Sequence, residues 1–310
     1  MKNTAVRCRA GRLLLAVALA ASGCVHVGHP VAGKIAEVDR PVRLDDAPRT
    51  PNDLALPLAY WAEYRQAPQP LATHVLRVDL RSTAIEVVSM IADDPDGDGP
   101  AEAALTDPRE LARRAHALAA VNANAFAGLP DATGKRDQRW RENLPVDICG
   151  LAVHEGVWRS RAQNDSVIDL SFGIDRSRRP FFGKASDPRK DIAEAVNAWS
   201  NDLVVDRNPI PPAGGERHPR TAAGVDKSRR WLYLVVVDGR QPDYSVGMTA
   251  RELAELMTQL GADRAVNLDG GGSSILLVAG QDGALSIVNR PSGGQPRPVP
   301  VLLGVRRSDK

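Results

Sequence analysis

Two apolar runs joined by one capped amphipathic segment constrain this chain more than any other feature. Trp231-Leu232-Tyr233-Leu234-Val235-Val236-Val237 is continuously apolar, the pattern of a strand covered on both faces. Thr249-Ala250-Arg251-Glu252 is a capping box, Leu253, Leu256, Met257 and Leu260 recur at helical spacing, and Gly261 ends the helix. Arg264 to Leu268 is a second buried strand. Strand, helix and strand within about forty residues predict a crossover unit, and a right-handed one places the strand-end residues Asp238 and Asp269 at the same sheet edge.

Asp269 follows Asn267-Leu268 and precedes Gly270-Gly271-Gly272-Ser273-Ser274. Three successive glycines lose more conformational entropy on ordering than any other choice, so something is expected to approach this backbone. N–H groups beside a carboxylate and two hydroxyls suit a phosphate or sugar oxygen; a hairpin tip is the alternative. Asp238 precedes Gly239, either as a second site carboxylate or as an ordinary turn. Arg220, Arg240 and Arg297 stand near glycine- or proline-rich turns, where guanidinium groups can clamp an anion or simply stay solvated. Asn122 and Asn124 bracket small residues just before Phe126 and serve either turn chemistry or substrate hydroxyls.

Other polar residues have simpler readings. Glu252 is explained by its capping box. His218 has no partner histidine at metal-ligand spacing and reads as a loop residue. Asp94-Pro95-Asp96-Gly97-Asp98-Gly99 imitates the front of a calcium loop, but the twelfth position is Leu105.

Upstream, His74–Leu80 and Ala84–Val88 read as strands. Asp107-Pro108-Arg109-Glu110 starts a helix, with Asp as cap and Glu as box partner, expected to run to about Ala119. Asp131 to Asn143 is loop, and Gly150–His154 and Ser166–Leu170 are β-type runs, with Glu155-Gly156 as a hairpin turn. The expected class is α+β: a mixed β-sheet core with a few packing helices in a single catalytic domain.

Residues 1–23 have the form of a secretory signal, basic at Lys2, Arg7, Arg9 and Arg12, then apolar from Leu13 to Ala21. Ala21-Ser22-Gly23-Cys24 resembles a bacterial lipobox, so a lipid on Cys24, an envelope location and membrane attachment through that anchor alone are expected. Residues 24–70 then serve as tether and N-terminal extension, and 71–310 as the folded domain. Without residues 1–23, Lys+Arg falls from 40 to 36 against 38 Asp+Glu, and the apparent basicity disappears. Nucleic acid is therefore not expected as a partner. With Cys8 in the signal and Cys24 lipidated, Cys149 is alone, which excludes an intramolecular disulfide and a cysteine-built zinc site. No cofactor follows from the sequence.

Several segments together carry a family likeness. His218-Pro219-Arg220-Thr221-Ala222-Ala223-Gly224-Val225-Asp226, Val237-Asp238-Gly239-Arg240, Ser245-Val246-Gly247-Met248-Thr249, Asn267 to Ser274, and Val288-Asn289-Arg290-Pro291 with Arg297 resemble the phosphodiester glycosidase family. Val121 to Phe126 and the hairpin around Glu155-Gly156 are similar as well, so the likeness spans roughly 71–310. Asn124-Ala125-Phe126 departs from the family's paired aromatics, a point that bears on sugar stacking. The resemblance implies hydrolysis of a sugar-1-phosphodiester, here of a phosphorylated surface glycan. Arg220, Arg240 and the Gly270, Gly271 and Gly272 amides would hold the phosphate, aided by Thr221, Ser274 and Arg297. Asp238 or Asp269 would act at the anomeric side, with Asn122, Asn124, Asn267 and Ser273 orienting the sugar. Two alternatives stay open: a non-catalytic binder of phosphorylated polysaccharide, and P–O cleavage by a divalent cation on Asp238 and Asp269.

Overall fold

The computed structural model describes residues 57–161, 169–184, 186, 189–199, 202–280 and 282–308. The expected signal segment, Cys24 and most of the expected tether lie outside the described residues, as do Ser166, Val167 and Ile168. The folded region nevertheless begins before the expected residue 71. Leu58–Arg65 is a strand paired residue for residue with Leu71–Asp79, because Leu58 and Trp61 have apolar surface to bury.

The crossover unit organises a seven-stranded sheet. Its order is Leu58–Arg65, Leu71–Asp79, Trp231–Val237, Arg220–Asp226, Ala262–Asn267, Asp202–Val205 and Asn208–Pro209. Trp231–Val237 and Ala262–Asn267 run parallel to each other, but Arg220–Asp226 lies between them and pairs antiparallel with both. Every pairing among the described residues is antiparallel, so the expected mixed sheet is instead an antiparallel one with a helical crossover. The molecule is also richer in β structure than expected, with twenty strands and two α-helices among the described residues.

The helix Ala250–Gln259 begins at the expected capping box, with Thr249 and Glu252 exchanging side-chain-to-backbone bonds. It buries Leu253, Ala254 and Met257. Gly224 makes room for it, since a Cβ there would stand 2.6 Å from Met257 Cε. The sheet's other face enters the main core through Leu76, Leu234 and Val266, and that core also holds Val121 and Leu302 of a five-stranded sheet and Phe172 and Val196 of another. With both faces covered, the apolar run of Trp231–Val237 follows.

The first helix is shorter than its sequence suggests. It spans Pro108–Arg114, capped by Asp107, and Glu110 pairs with Arg113 and Arg114 instead of closing a box. His116 turns at φ +51°, and Ala117–Asn122 is already a strand, buried at every position. Sheet burial overrides the helix preference of its alanines. The Glu155-Gly156 turn forms as expected, both residues at positive φ.

Candidate active site

Register brings the motifs to one edge. Arg220 pairs with Val237 and Ala222 with Asn267, so Arg220, Asp238 and Asp269 all leave the sheet together. The edge is then divided, because among the described residues the two aspartates share no hydrogen-bond partner.

Asp238 faces inward, 1% exposed. Its Oδ2 accepts from His74 Nε2 at 3.2 Å, the Tyr244 hydroxyl at 3.2 Å and Arg290 N–H at 2.9 Å, while Oδ1 accepts from Asn289 Nδ2 at 2.9 Å. Tyr60 O–H lies 2.9 Å from His74 Nδ1, and a neutral imidazole protonated on Nε2 satisfies both neighbours. Burial raises the Tyr60 and Tyr244 phenols well above their ordinary range, so both stay donors. Asn289 extends the network to the far end of the glycine loop, donating to Ser274 O and accepting from Leu276 N–H. Asp238 is thus not presented as a second site carboxylate or metal ligand: four donors already use its lone pairs.

Asp269 is the half-buried carboxylate of the edge. Burial pushes it up to about 6, against the lowering influence of the Ser273 hydroxyl, the Gly270 N–H and the Arg297 charge. Its backbone is held from both sides. Asn122 Nδ2 donates to Asp269 O at 2.6 Å, and Asp269 N–H donates to Ala123 O. Asn122 Oδ1 accepts in turn from the Thr221 hydroxyl and Ile275 N–H. Asn122 and Thr221, expected at the substrate, are buried braces that fix where Asp269 stands.

The three arginines converge on the loop. Arg240 adopts φ +60° and rests against Gly271, where a Cβ would come within 3.3 Å of both Nη atoms. Arg297 lies across Gly272 and reaches the Ser273 hydroxyl at 3.4 Å. Arg220 is fixed by Met248 O and Glu216 O. Burial and then Arg240 lower the Arg220 guanidinium, and burial and Arg240 likewise lower Arg297 against the pull of Asp269. Among the described residues none of the three lies within ion-pair distance of a carboxylate, so the loop carries clustered positive charge that only Asp269 partly offsets.

The loop's amides are less available than expected. Gly271 N–H donates to Pro219 O and Gly270 N–H to the Asp269 carboxylate, so of the three only Gly272 N–H makes no hydrogen bond within the described residues. The expected bare backbone is real, but the groups pressed on it are Pro219 and two guanidinium groups. Asn124 is not in the cluster; it is 1% exposed and holds Cys149 O and Leu151 O, accepting from Asn197 N–H. Asn267 Oδ1 and Ser274 Oγ, at the loop's two ends, are buried with no hydrogen-bond partner among the described residues. Residues the sequence did not single out are His74, Tyr60, Tyr244 and Trp140. Asn289 and Arg290 stood within a motif without an assigned role.

Gly272→Ala tests the contact with Arg297. Gly272 has an ordinary φ, but the new Cβ would lie 2.6 Å from Arg297 Cζ, so the flexible guanidinium must leave while the backbone stays. Stability is expected to change by under about 1 kcal/mol while kcat/KM falls at least about tenfold, the worth of one charge-assisted bond. Unchanged kinetics would show that Arg297 does not need this seat.

Two clefts of about 400 and 670 Å³ among the described residues share no residue with the loop. Among the described residues no three His, Cys, Asp or Glu side chains cluster to hold a metal ion. The comparison that decides the family is with the profile of the phosphodiester glycosidases, which matches residues 115–306. The chain belongs to the phosphodiester glycosidase family.

It is accordingly a hydrolase of that family. Solved structures agree on the fold. The zebrafish N-acetylglucosamine-1-phosphodiester alpha-N-acetylglucosaminidase catalytic domain, auto-inhibited by its pro-peptide, aligns with TM-score 0.57 and 19% identity over 83% of this chain and 85% of that one. A hypothetical protein from Synechocystis aligns with TM-score 0.57 and 14% identity over 80% of this chain, which spans 62% of that protein. A Burkholderia pseudomallei K96243 protein described as exported gives TM-score 0.52 and 19% identity over 77% and 74% of the two chains. No curated protein shows significant similarity.

Proposed function

We propose that this glycosidase hydrolyses the glycosyl–phosphate bond of a sugar-1-phosphodiester in a phosphorylated glycan of the cell envelope. The observation that carries this reading is the placement of Arg220, Arg240 and Arg297 around the glycine loop beside Asp269. The phosphate is an anion both as the diester and as the monoester that leaves, so the site must supply positive charge and little acid assistance. Arg240, Arg297 and the free Gly272 N–H receive the phosphate, with Arg220 adding charge from behind.

Asp269 then works on the anomeric side in its ionised form, as base for water or as nucleophile toward an oxocarbenium-like centre. Asn122, Thr221 and the Asp238–Asn289 network position it and the loop. Export and a lipid on Cys24 are part of the proposal and are supported by the signal-type N-terminus and the lipobox-like Ala21–Cys24.

The test is hydrolysis of a small panel of sugar-1-phosphodiesters in oxygen-18 water, read by NMR and mass. The expected result is label in the released sugar. Label in the phosphate would instead assign P–O cleavage, and retention of a phosphoglycan without any product would assign a binder.

A further inference from the structure

Trp140 sits in the Asp131–Asn143 segment, which contributes no strand or helix, yet its place is firmly built. Asp131 anchors the first turn by accepting from Thr133 and Lys135 N–H. Arg136 donates to Gly128 O at 2.7 Å and Asp147 at 2.9 Å, and Asp137 accepts from Arg139 and Arg141. This delivers a half-buried indole to Phe126, ring centroids 5.0 Å apart and nearly perpendicular. The Arg297 guanidinium lies 5.8 Å from the Trp140 centroid. Arg297 reaches Ser273, which hydrogen-bonds Asp269, so three contacts link the indole to the carboxylate.

We propose that Trp140 is the stacking platform for the sugar ring, and so a specificity residue of this site; this rests on the sugar-1-phosphodiester reading above. A pyranose presents a flat face of C–H groups that packs on an aromatic ring, while its hydroxyls need polar partners at the edge. At this site Trp140 offers aromatic surface beside the arginine cluster, with Phe126 packed nearly perpendicular to it. Arg297 touches both the indole and the loop, so a phosphate on the arginines places the attached ring over Trp140. The position lies on a loop held by a rigid scaffold, where substrate discrimination can vary without disturbing the reacting groups.

Binding separates this role from simple support of Arg297. The full chain is titrated by calorimetry with a hexose 1-phosphate and with inorganic phosphate. Trp140→Ala is expected to weaken the hexose 1-phosphate about tenfold while leaving inorganic phosphate within about twofold. Trp140→Phe should keep the sugar ligand within about threefold of the original affinity, because a flat ring remains. Trp140→Leu, which preserves apolar packing on Phe126, should behave like the alanine variant and guards against misfolding of the latter. Equal loss of both ligands would make Trp140 only a seat for Arg297. No loss of either, or no preference of the unaltered chain for the sugar ligand, would equally overturn the platform. Selective loss in a protein that releases no sugar would uphold Trp140 and remove the hydrolytic reading instead.

Discussion

Asp269→Asn is expected to lower kcat on a sugar-1-phosphodiester by at least about a hundredfold, the size of effect that follows loss of a positioned acid, base or nucleophile. The substitution keeps the side-chain shape and its contacts with Ser273 and the Gly270 N–H, so folding should survive. Near-normal turnover would remove Asp269 from the chemistry. Burial places its carboxyl at about 6, so kcat/KM should rise with pH through that value and level off above it, since the ionised form does the work. A bound phosphate adds a negative neighbour, so the corresponding rise in kcat should come at higher pH.

Stability runs the opposite way. The folded-state value of Asp269 is raised above the ordinary 3.8, so the favourable contribution is present below about pH 4 and is lost as pH rises through about 6. Asp269→Asn should abolish both the activity rise and this stability loss, leaving a variant more stable than the parent at neutral pH. Thermal melts at pH 4 and pH 7 measure it. A site that holds a carboxylate under strain for reaction has this signature.

Asp238→Asn should show the second large effect, and on a different observable. Three donors converge on Oδ2 and a fourth on Oδ1, so whichever way the amide is turned its NH2 meets a donor. With the group 1% exposed, water cannot relieve the conflict. The expected loss is about 3 kcal/mol, by analogy with breaking other buried charged networks. For a domain of this size that is roughly 6–12 °C in Tm. Activity should fall only as far as the Asn289–Ser274 link loosens the loop, and should recover partly at low temperature. A Tm within about 2 °C of the parent together with abolished turnover would move Asp238 from the frame into the chemistry.

The contrast between the two aspartates shows where sequence reading stops. Both are Asp-Gly at strand ends, and both were expected at one sheet edge, where they are. What separates them is the company supplied by distant segments: His74 and Tyr60 from the first part of the domain, Asn289 and Arg290 from the last. The same holds for Asn122 and Asn124, two positions apart on one short segment. One braces Asp269 and the other serves the third sheet at Leu151 and Asn197. Trp140 was hidden for a related reason, since an aromatic in a polar loop has no period that reveals its target.

The sequence by itself determined the crossover unit, its capping box, the glycine loop and the presence of arginines near it, because these depend on periodicity and on backbone freedom over a few residues. It also carried the family likeness, through motifs whose order survives without any knowledge of the fold. Tertiary structure alone decided that the pairings among the described residues are antiparallel, that the glycines accommodate Pro219, Arg240 and Arg297, and that Asp238 is enclosed by donors while Asp269 stands beside the arginines. Those outcomes depend on which groups are desolvated together, and desolvation is a property of neighbours brought from far along the chain.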